Sequence, residues 1–152
     1  MKAVVTRVER AAVILRDGPS AGERRETGRG LLVLLGVGQG DGEESARKLV
    51  EKILALRIFS NAEGKFDRSV VDERGDILVI SQFTLYASLK GGRRPDFTAA
   101  ARPELAKPLY ERVAALFAAS GLTVKTGEFG ASMSVTSDND GPVTILVDTD
   151  LY

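Results

Sequence analysis

Ile77-Leu78-Val79-Ile80-Ser81-Gln82-Phe83-Thr84-Leu85-Tyr86 is the stretch on which the fold turns. Ile77 to Ile80 offer no polar face, so they read as a strand buried on both sides, with Asp76 supplying the turn before it. Ser81, Gln82 and Thr84 then alternate with Phe83 and Leu85, which predicts that the strand continues while carrying hydroxyl and amide groups out of the core. Such groups need partners. Two kinds stay open here: a hydrogen-bond network at the sheet edge, or a bound ligand.

Length and composition set the outer limits. A chain of 152 residues can bury about two-thirds of the surface its unfolded form exposes, enough for one domain over 1–152. Its 43% hydrophobic and 28% charged content is that of an ordinary globular protein, and no apolar run approaches membrane-span length. Met1-Lys2-Ala3-Val4 begins a strand-like pattern at once, so no export signal or membrane partner is expected, and a cytoplasmic location is. The absence of cysteine and histidine removes disulfides, Cys or His metal sites, thiol nucleophiles and every triad built on an imidazole. Lysine plus arginine, 21 in all, balance 21 aspartates and glutamates, so the chain lacks the basic excess of a non-specific duplex binder. Three cations do gather in Lys90-Gly91-Gly92-Arg93-Arg94, a glycine-flexed loop that is either simply solvated or able to follow a phosphate backbone.

N-terminal to the central stretch, Ser69 to Val71 is expected to form a short strand, and Glu73-Arg74-Gly75-Asp76 a tight reversal that makes the two strands antiparallel. Leu31 to Leu35 form a second deeply apolar strand, followed by Gly36-Val37-Gly38-Gln39-Gly40. A dinucleotide fingerprint would need a third glycine where Asp41 stands, and Asp41 would put negative charge beside a pyrophosphate. Asp41 reads better as a helix N-cap, completed by Glu44, for a helix from Glu43 to about Arg57. Ala46, Leu49, Val50, Ile53, Leu54 and Leu56 give that helix one broad apolar face to lay on a sheet. Ala3 to Val8 and Ala12 to Leu15 look like two strands, with Asp17-Gly18-Pro19-Ser20 a turn beyond them. Arg7, inside the first, is either a surface residue or a buried donor to carbonyls.

C-terminal to it, the cationic loop runs through Pro95-Asp96-Phe97 into a second helix with Leu109, Val113, Leu116 and Phe117 as its buried stripe, ending near Ala119 before Ser120-Gly121. Pro103 and Pro108 leave its start open by a turn. Leu122 to Thr126, Ala131 to Thr136 and Val143 to Val147 are strand candidates, the last two joined by Ser137-Asp138-Asn139-Asp140-Gly141-Pro142. The three acidic and amide residues there lack the ligand spacing of a calcium loop, and no metal site is expected. Gly141, without a side chain, lets another molecule approach its own and the Pro142 carbonyl, or simply makes a turn; the bond between them is cis or trans.

Taken together, Ser81-Gln82-Phe83-Thr84-Leu85, Asn139-Asp140-Gly141-Pro142-Val143-Thr144, Arg7-Val8 and Thr126-Gly127-Glu128-Phe129-Gly130 resemble the D-aminoacyl-tRNA deacylase family, in the same order and over Ala3 to Asp148. The resemblance implies a homodimeric enzyme that needs no cofactor and binds the 3′ acceptor end of a D-aminoacyl-tRNA. It would cleave the ester joining a D-amino acid, or a glycine mischarged on tRNA-Ala, to the terminal adenosine. With the order of elements above, it sets the expected architecture: an α+β fold of mostly antiparallel or mixed β-sheets, barrel-like and in two sheets, with two main helices packed outside.

By position, the resemblance makes Ser81, Gln82, Phe83 and Thr84 the lining of the pocket for adenosine and the aminoacyl group. It makes Gly141-Pro142 the cis-proline motif that enters the partner's active site, Arg7 the residue orienting that motif, and Met133 a pocket residue. Members often show Lys-Gly-x-Arg-Pro, whereas Gly91-Gly92-Arg93-Arg94-Pro95 here shifts the lysine to Lys90. The chemistry suits a chain without histidine. An aminoacyl ester brings its own neighbouring 2′-hydroxyl, so hydrolysis needs a water in line and donors for the developing oxyanion, which backbone N–H groups around Gln82 and Phe83 could supply. Two other readings stay open: a non-catalytic nucleic-acid-binding module using the cationic loop, and a conventional Ser or Thr esterase. The latter lacks both a Gly-x-Ser-x-Gly elbow and a base beside Ser81 or Thr84.

Overall fold

The computed structural model describes residues 1–152. In chain order the elements are β1 (Lys2–Leu15), β2 (Arg24–Thr27), β3 (Gly30–Gly36), α1 (Glu43–Leu54), β4 (Phe59–Ser60), β5 (Phe66–Arg68) and β6 (Asp76–Ser81), then a 3₁₀ turn (Phe83–Tyr86), α2 (Pro103–Ala118), β7 (Val124–Thr126) and β8 (Met133–Asp148). A short 3₁₀ turn, Thr149–Leu151, follows. Six strands form one mixed sheet along the path β2-β1-β3-β6-β7, with β8 on the remaining side of β1; β4 and β5 form a separate antiparallel ribbon. The sheet curls until β2 and β7 touch, and Arg25 Nη1 donates across that seam to Thr126 O at 2.8 Å, so the sheet is a nearly closed barrel. The expected α+β class, with two helices outside a barrel-like mixed sheet, is the one found.

β6 is buried on both faces. Ile77 and Val79 point to the helices, in a core with Leu31, Val33 and Leu35 of β3, Leu49 and Ile53 of α1, and Val113 and Phe117 of α2. Leu78 and Ile80 point into the curl of the sheet, beside Val8, Val13, Leu15 and Leu32. Each such side chain contributes about 1.5–3 kcal/mol by leaving water, so a strand serving two cores is the costliest part of the chain to displace. In α2, Pro103 sits at the first helical position, where its missing donor costs nothing, and Pro108 lies inside the helix, where Glu104 loses its usual backbone donor.

Several expectations need correction. β6 runs parallel to both β3 and β7, because Ser69–Asp72 is a turn rather than a strand: the Asp72 carboxylate accepts from Ser69 N and Oγ, each at 2.8 Å. α1 then makes the crossover that a parallel pair requires. The two N-terminal strand candidates are one strand. Their polar break at Glu9 and Arg10 falls where β1 passes from β3 to the polar strand β2, which no apolar signal announced. Likewise Ala131–Thr136 and Val143–Val147 belong to the single strand β8, paired with β1 from Leu15↔Met133 to Lys2↔Asp148. The N-cap of α1 is Gly42, the helix ends at Leu54, and Asp41 is used elsewhere. After Ser81 the central stretch stops being a strand and coils into the 3₁₀ turn.

Candidate active site

A cavity of about 650 Å³ opens where β6 ends. One wall is Ile80, Ser81, Gln82 and Phe83; the facing wall is Phe97, Ala100, Ala101, Arg102, Pro103 and Ala106, at the entry to α2. Phe129, Gly130 and Ala131, from the loop after β7, and Met133 and Val135 of β8 close the side. The size and the apolar lining with a few polar groups are those of a small-ligand site. Phe83, 56% exposed, meets Phe97 edge-to-face with centroids 5.0 Å apart, so the two walls touch at the mouth. Beneath the cavity, Phe129 packs 5.9 Å from the Tyr110 ring, and the Tyr110 hydroxyl donates to Val79 O at 2.9 Å. Burial, chiefly, pushes that phenol up to about 12, so Tyr110 is a neutral strut at working pH.

The coil after Ser81 decides which groups are free. Gln82 N donates to Leu35 O at 2.7 Å, so it is no longer available to an oxyanion. In the 3₁₀ turn, Leu85 N bonds Gln82 O and Ala87 N bonds Thr84 O, while Phe83 and Thr84 stand at its start, where N–H groups have no partner within the turn. The Gln82 side-chain amide donates to Thr84 Oγ1. Thr84 is exposed and does not line the cavity. A hydroxyl that receives a donor and touches no base is held as a hydrogen-bonding group, not activated as a nucleophile.

Arg7, Gly141 and Pro142 lie outside this cavity. β8 leaves its register with β1 between Thr144 and Asn139, and the intervening Asp140–Val143 bulge lies opposite Arg7. Arg7 is 7% exposed, the buried donor of the two readings: Nη1 donates to Ile58 O at 2.5 Å. Its Nε lies 2.9 Å from Asp140 Oδ2, close enough for an ion pair but without the alignment of a hydrogen bond. The guanidinium also stacks between Phe59 and Phe66, 5.9 and 5.7 Å from their centroids. The Gly141-Pro142 bond is cis and Gly141 has φ +123°, where a Cβ would meet Val143 Cγ2 at 2.7 Å. Both residues are exposed. Asp138 pairs with Arg10 at 2.6 Å, so the acidic residues of this stretch are engaged with arginines.

Thus Ser81, Gln82, Phe83 and Met133 converge, Thr84 flanks them, and Arg7, Gly141 and Pro142 form a second group at the β1–β8 bulge. Phe97, Ala100 and Arg102 were missed, because nothing in a loop or at a helix start marks which side chains face a cavity 15 or 20 residues away. Phe129 and Gly130 carried a signal in Thr126–Gly130, without a role attached. Lys90, Arg93 and Arg94 are exposed, and none enters an ion pair.

The family profile described as D-Tyr-tRNA(Tyr) deacylase matches residues 4–148. The chain is 52% identical over 149 residues to the D-aminoacyl-tRNA deacylase of Aquifex aeolicus (strain VF5), covering 98% of each. It is 50% identical over 152 residues to that of Roseiflexus sp. (strain RS-1), covering all of this chain and 96% of the relative. Among solved structures it is similar to the c-Myc DNA Unwinding Element Binding Protein, with 40% identity, a TM-score of 0.87, and coverage of 97% of this chain and 98% of that one. It shares its fold, at 18% identity and a TM-score of 0.79, with a probable eukaryotic D-amino acid tRNA deacylase, covering 96% and 97% of the two chains.

Proposed function

The chain belongs to the D-aminoacyl-tRNA deacylase family and acts as an aminoacyl-tRNA hydrolase, releasing the D-amino acid from its ester; we propose that it does so without a side-chain nucleophile or base. The observation that carries this reading is the composition of the cavity. Ser81, Gln82 and Phe83 face a lining whose single ionisable member is Arg102, so no carboxylate or imidazole is there to take a proton. The terminal ribose, with its 2′-hydroxyl, and a water fill that role, while the N–H groups of Phe83 and Thr84 face the developing oxyanion. Phe83 and Phe97 offer aromatic faces and edges to the adenine.

Handedness, on this reading, comes from Gly141-Pro142 of a second subunit. The motif is exposed, braced from behind by Arg7, and outside its own chain's cavity. β8 pairs only with β1, which leaves its other edge free, with Leu146 79% exposed on the strand, a surface suited to a second copy. Main-chain carbonyls inserted beside the ester would hold a D-amino acid's ammonium and collide with an L side chain. Glycine, with nothing to exclude, would pass, which includes glycine mischarged on tRNA-Ala. A substrate made for the ribosome puts this work in the cytoplasm. No helix is long and apolar enough to cross a membrane.

Matched D- and L-aminoacyl-tRNA esters, separated after acid quench, test the reading. The D ester is cleaved, the L ester survives, and a difference of about 5–6 kcal/mol corresponds to roughly ten-thousandfold selectivity. Several D side chains are tolerated alike, because a wall sorts handedness without a side-chain pocket. A nucleic-acid-binding module is the second reading, favoured by the unpaired Lys90, Arg93 and Arg94; it predicts tRNA binding with both esters left intact.

A further inference from the structure

The glycine-rich loop Gly36–Gln39, which binds no dinucleotide on its own sequence, lies between the two walls of the cavity and bonds to both. Toward the α2 side, Ala101 N donates to Val37 O at 2.9 Å, Gln39 N donates to Ala99 O at 3.0 Å, and Gly38 bridges Ala100. Toward the catalytic side it meets the 3₁₀ turn through Tyr86. A Cβ on Gly38 would stand 2.5 Å from Tyr86 Cε1 and Cζ, and one on Gly36 3.1 Å from both Gln82 O and Leu85 Cβ. Asp41 closes the arrangement. Its Oδ2 accepts from Gly38 N at 2.7 Å and from the Tyr86 hydroxyl at 3.3 Å, its Oδ1 from the N-terminal ammonium of Met1 at 2.6 Å, and its side chain is only 7% exposed.

We propose that Asp41, Tyr86 and Gly38 are positioning residues: they clamp the 3₁₀ turn that carries Phe83 and Thr84 at a set distance from the Phe97–Arg102 wall. The inference rests on the deacylase reading above. The turn itself cannot hold this position, since it has one helical revolution and no buried side chain. What locates it is the seating of the Tyr86 ring against the Gly38 backbone, which only a residue without Cβ permits at position 38, and the carboxylate that ties loop to phenol. Burial and the Asp41 charge push the Tyr86 phenol well above its ordinary value, so it remains a donor throughout the working range. Oxyanion donors act only when placed to a fraction of an ångström, and a displacement of about 1 Å costs up to a hundredfold in rate.

The test uses the full-length protein with D-aminoacyl-tRNA and amide hydrogen exchange. Asp41→Asn lowers kcat about tenfold and Gly38→Ala lowers it further, each with KM changed much less than kcat, since most of the affinity for the tRNA comes from its phosphates. In both, the Leu85 and Ala87 amides, which close the 3₁₀ turn, exchange faster while β6 stays protected. The double variant Gly38→Ala/Tyr86→Ala does not regain wild-type kcat, because the ring that the new methyl strikes is also the one that ties the turn to Asp41; full recovery would show that Tyr86 positions nothing. Gly121→Ala, at φ +83° in open space after α2, loses stability with kcat unchanged and serves as the control for unfolding. Wild-type kcat and exchange in Asp41→Asn and Gly38→Ala would overturn the proposal, as would a fall in kcat that merely follows the folded fraction. A wild-type protein that cleaves no D ester would overturn the deacylase reading instead, and the exchange data would still report on the clamp.

Discussion

Gln82–Tyr86 and Asp140–Val143 both break out of a β-strand, and they treat their surroundings in opposite ways. The first follows a strand buried on both faces and turns along the rim of an apolar cavity, so its residues meet a space the chain itself encloses. The second breaks the register of the edge strand β8, with Arg7 against Asp140 and with Gly141 and Pro142 exposed. One segment belongs to a finished pocket; the other is shaped like an insertion. On the proposed reading that difference suits a site built from two subunits, with the conspicuous motifs of the chain held apart within one copy.

The brace behind the bulge is the place where a change is expected to do most harm. Arg7→Ala leaves the buried Ile58 O and the half-buried Asp140 carboxylate without their partner, a loss of about 2 kcal/mol in urea unfolding. D-ester kcat/KM falls by up to about a hundredfold as the motif loses its position. Arg7→Lys restores charge without the planar fork that lies between Phe59 and Phe66, and recovers only part of either loss. An Arg7→Ala protein with wild-type discrimination between D and L esters would separate the bulge from chirality.

The free edge comes next. If the proposed dimer forms on this edge, Leu146→Glu removes an apolar contact of about 2 kcal/mol, so sedimentation should find a dissociation constant raised about thirtyfold or more, together with weaker D-ester cleavage at low protein concentration. Unchanged association, or a wild-type protein that sediments as a monomer, would remove this edge as the proposed interface. Within the cavity region, Thr84→Ala loses one hydrogen bond from Gln82, worth about 1 kcal/mol, and activity drops about fivefold with no acyl adduct on the wild-type Thr84 by mass spectrometry. A trapped adduct would make Thr84 a nucleophile.

The smallest effect is on acid stability. Glu73 sits below its ordinary value of 4.5 because Arg68 first, and Arg29 second, hydrogen-bond its carboxylate. Its folded form therefore binds fewer protons than the unfolded one near pH 4. The stabilisation is present above the ordinary value and fades as pH falls through the lowered one. Glu73→Gln should flatten the decline in urea midpoint between pH 5 and 3 without altering either group of site residues.

Much of the cavity was legible in the chain. The apolar run of Ile77–Ile80 announced a doubly buried strand, and the polar residues after it announced groups that need partners; Ser81, Gln82 and Phe83 do line the pocket. The helix faces were equally plain, since Leu49, Val50 and Ile53, and Leu109, Val113 and Phe117, recur at helical spacing and are buried. Less legible was Asp41. Its position before a helix suggested a cap, yet its carboxylate turns toward Gly38 and Tyr86, a partner 45 residues away.

Periodicity along a sequence records how each residue meets water, and that much the chain determined alone: which strands are buried, which faces the helices present, and that no cysteine or histidine takes part. Tertiary structure decided that β6 pairs in parallel, that β1 and β8 are single long strands, that Arg7 is buried, and that Gly141-Pro142 stands outside the cavity of its own chain. The physical reason is common to all four. Strand partners and buried charge pairs are chosen between residues far apart in the chain, by hydrogen bonds and packing that leave no trace in the local spacing of apolar residues.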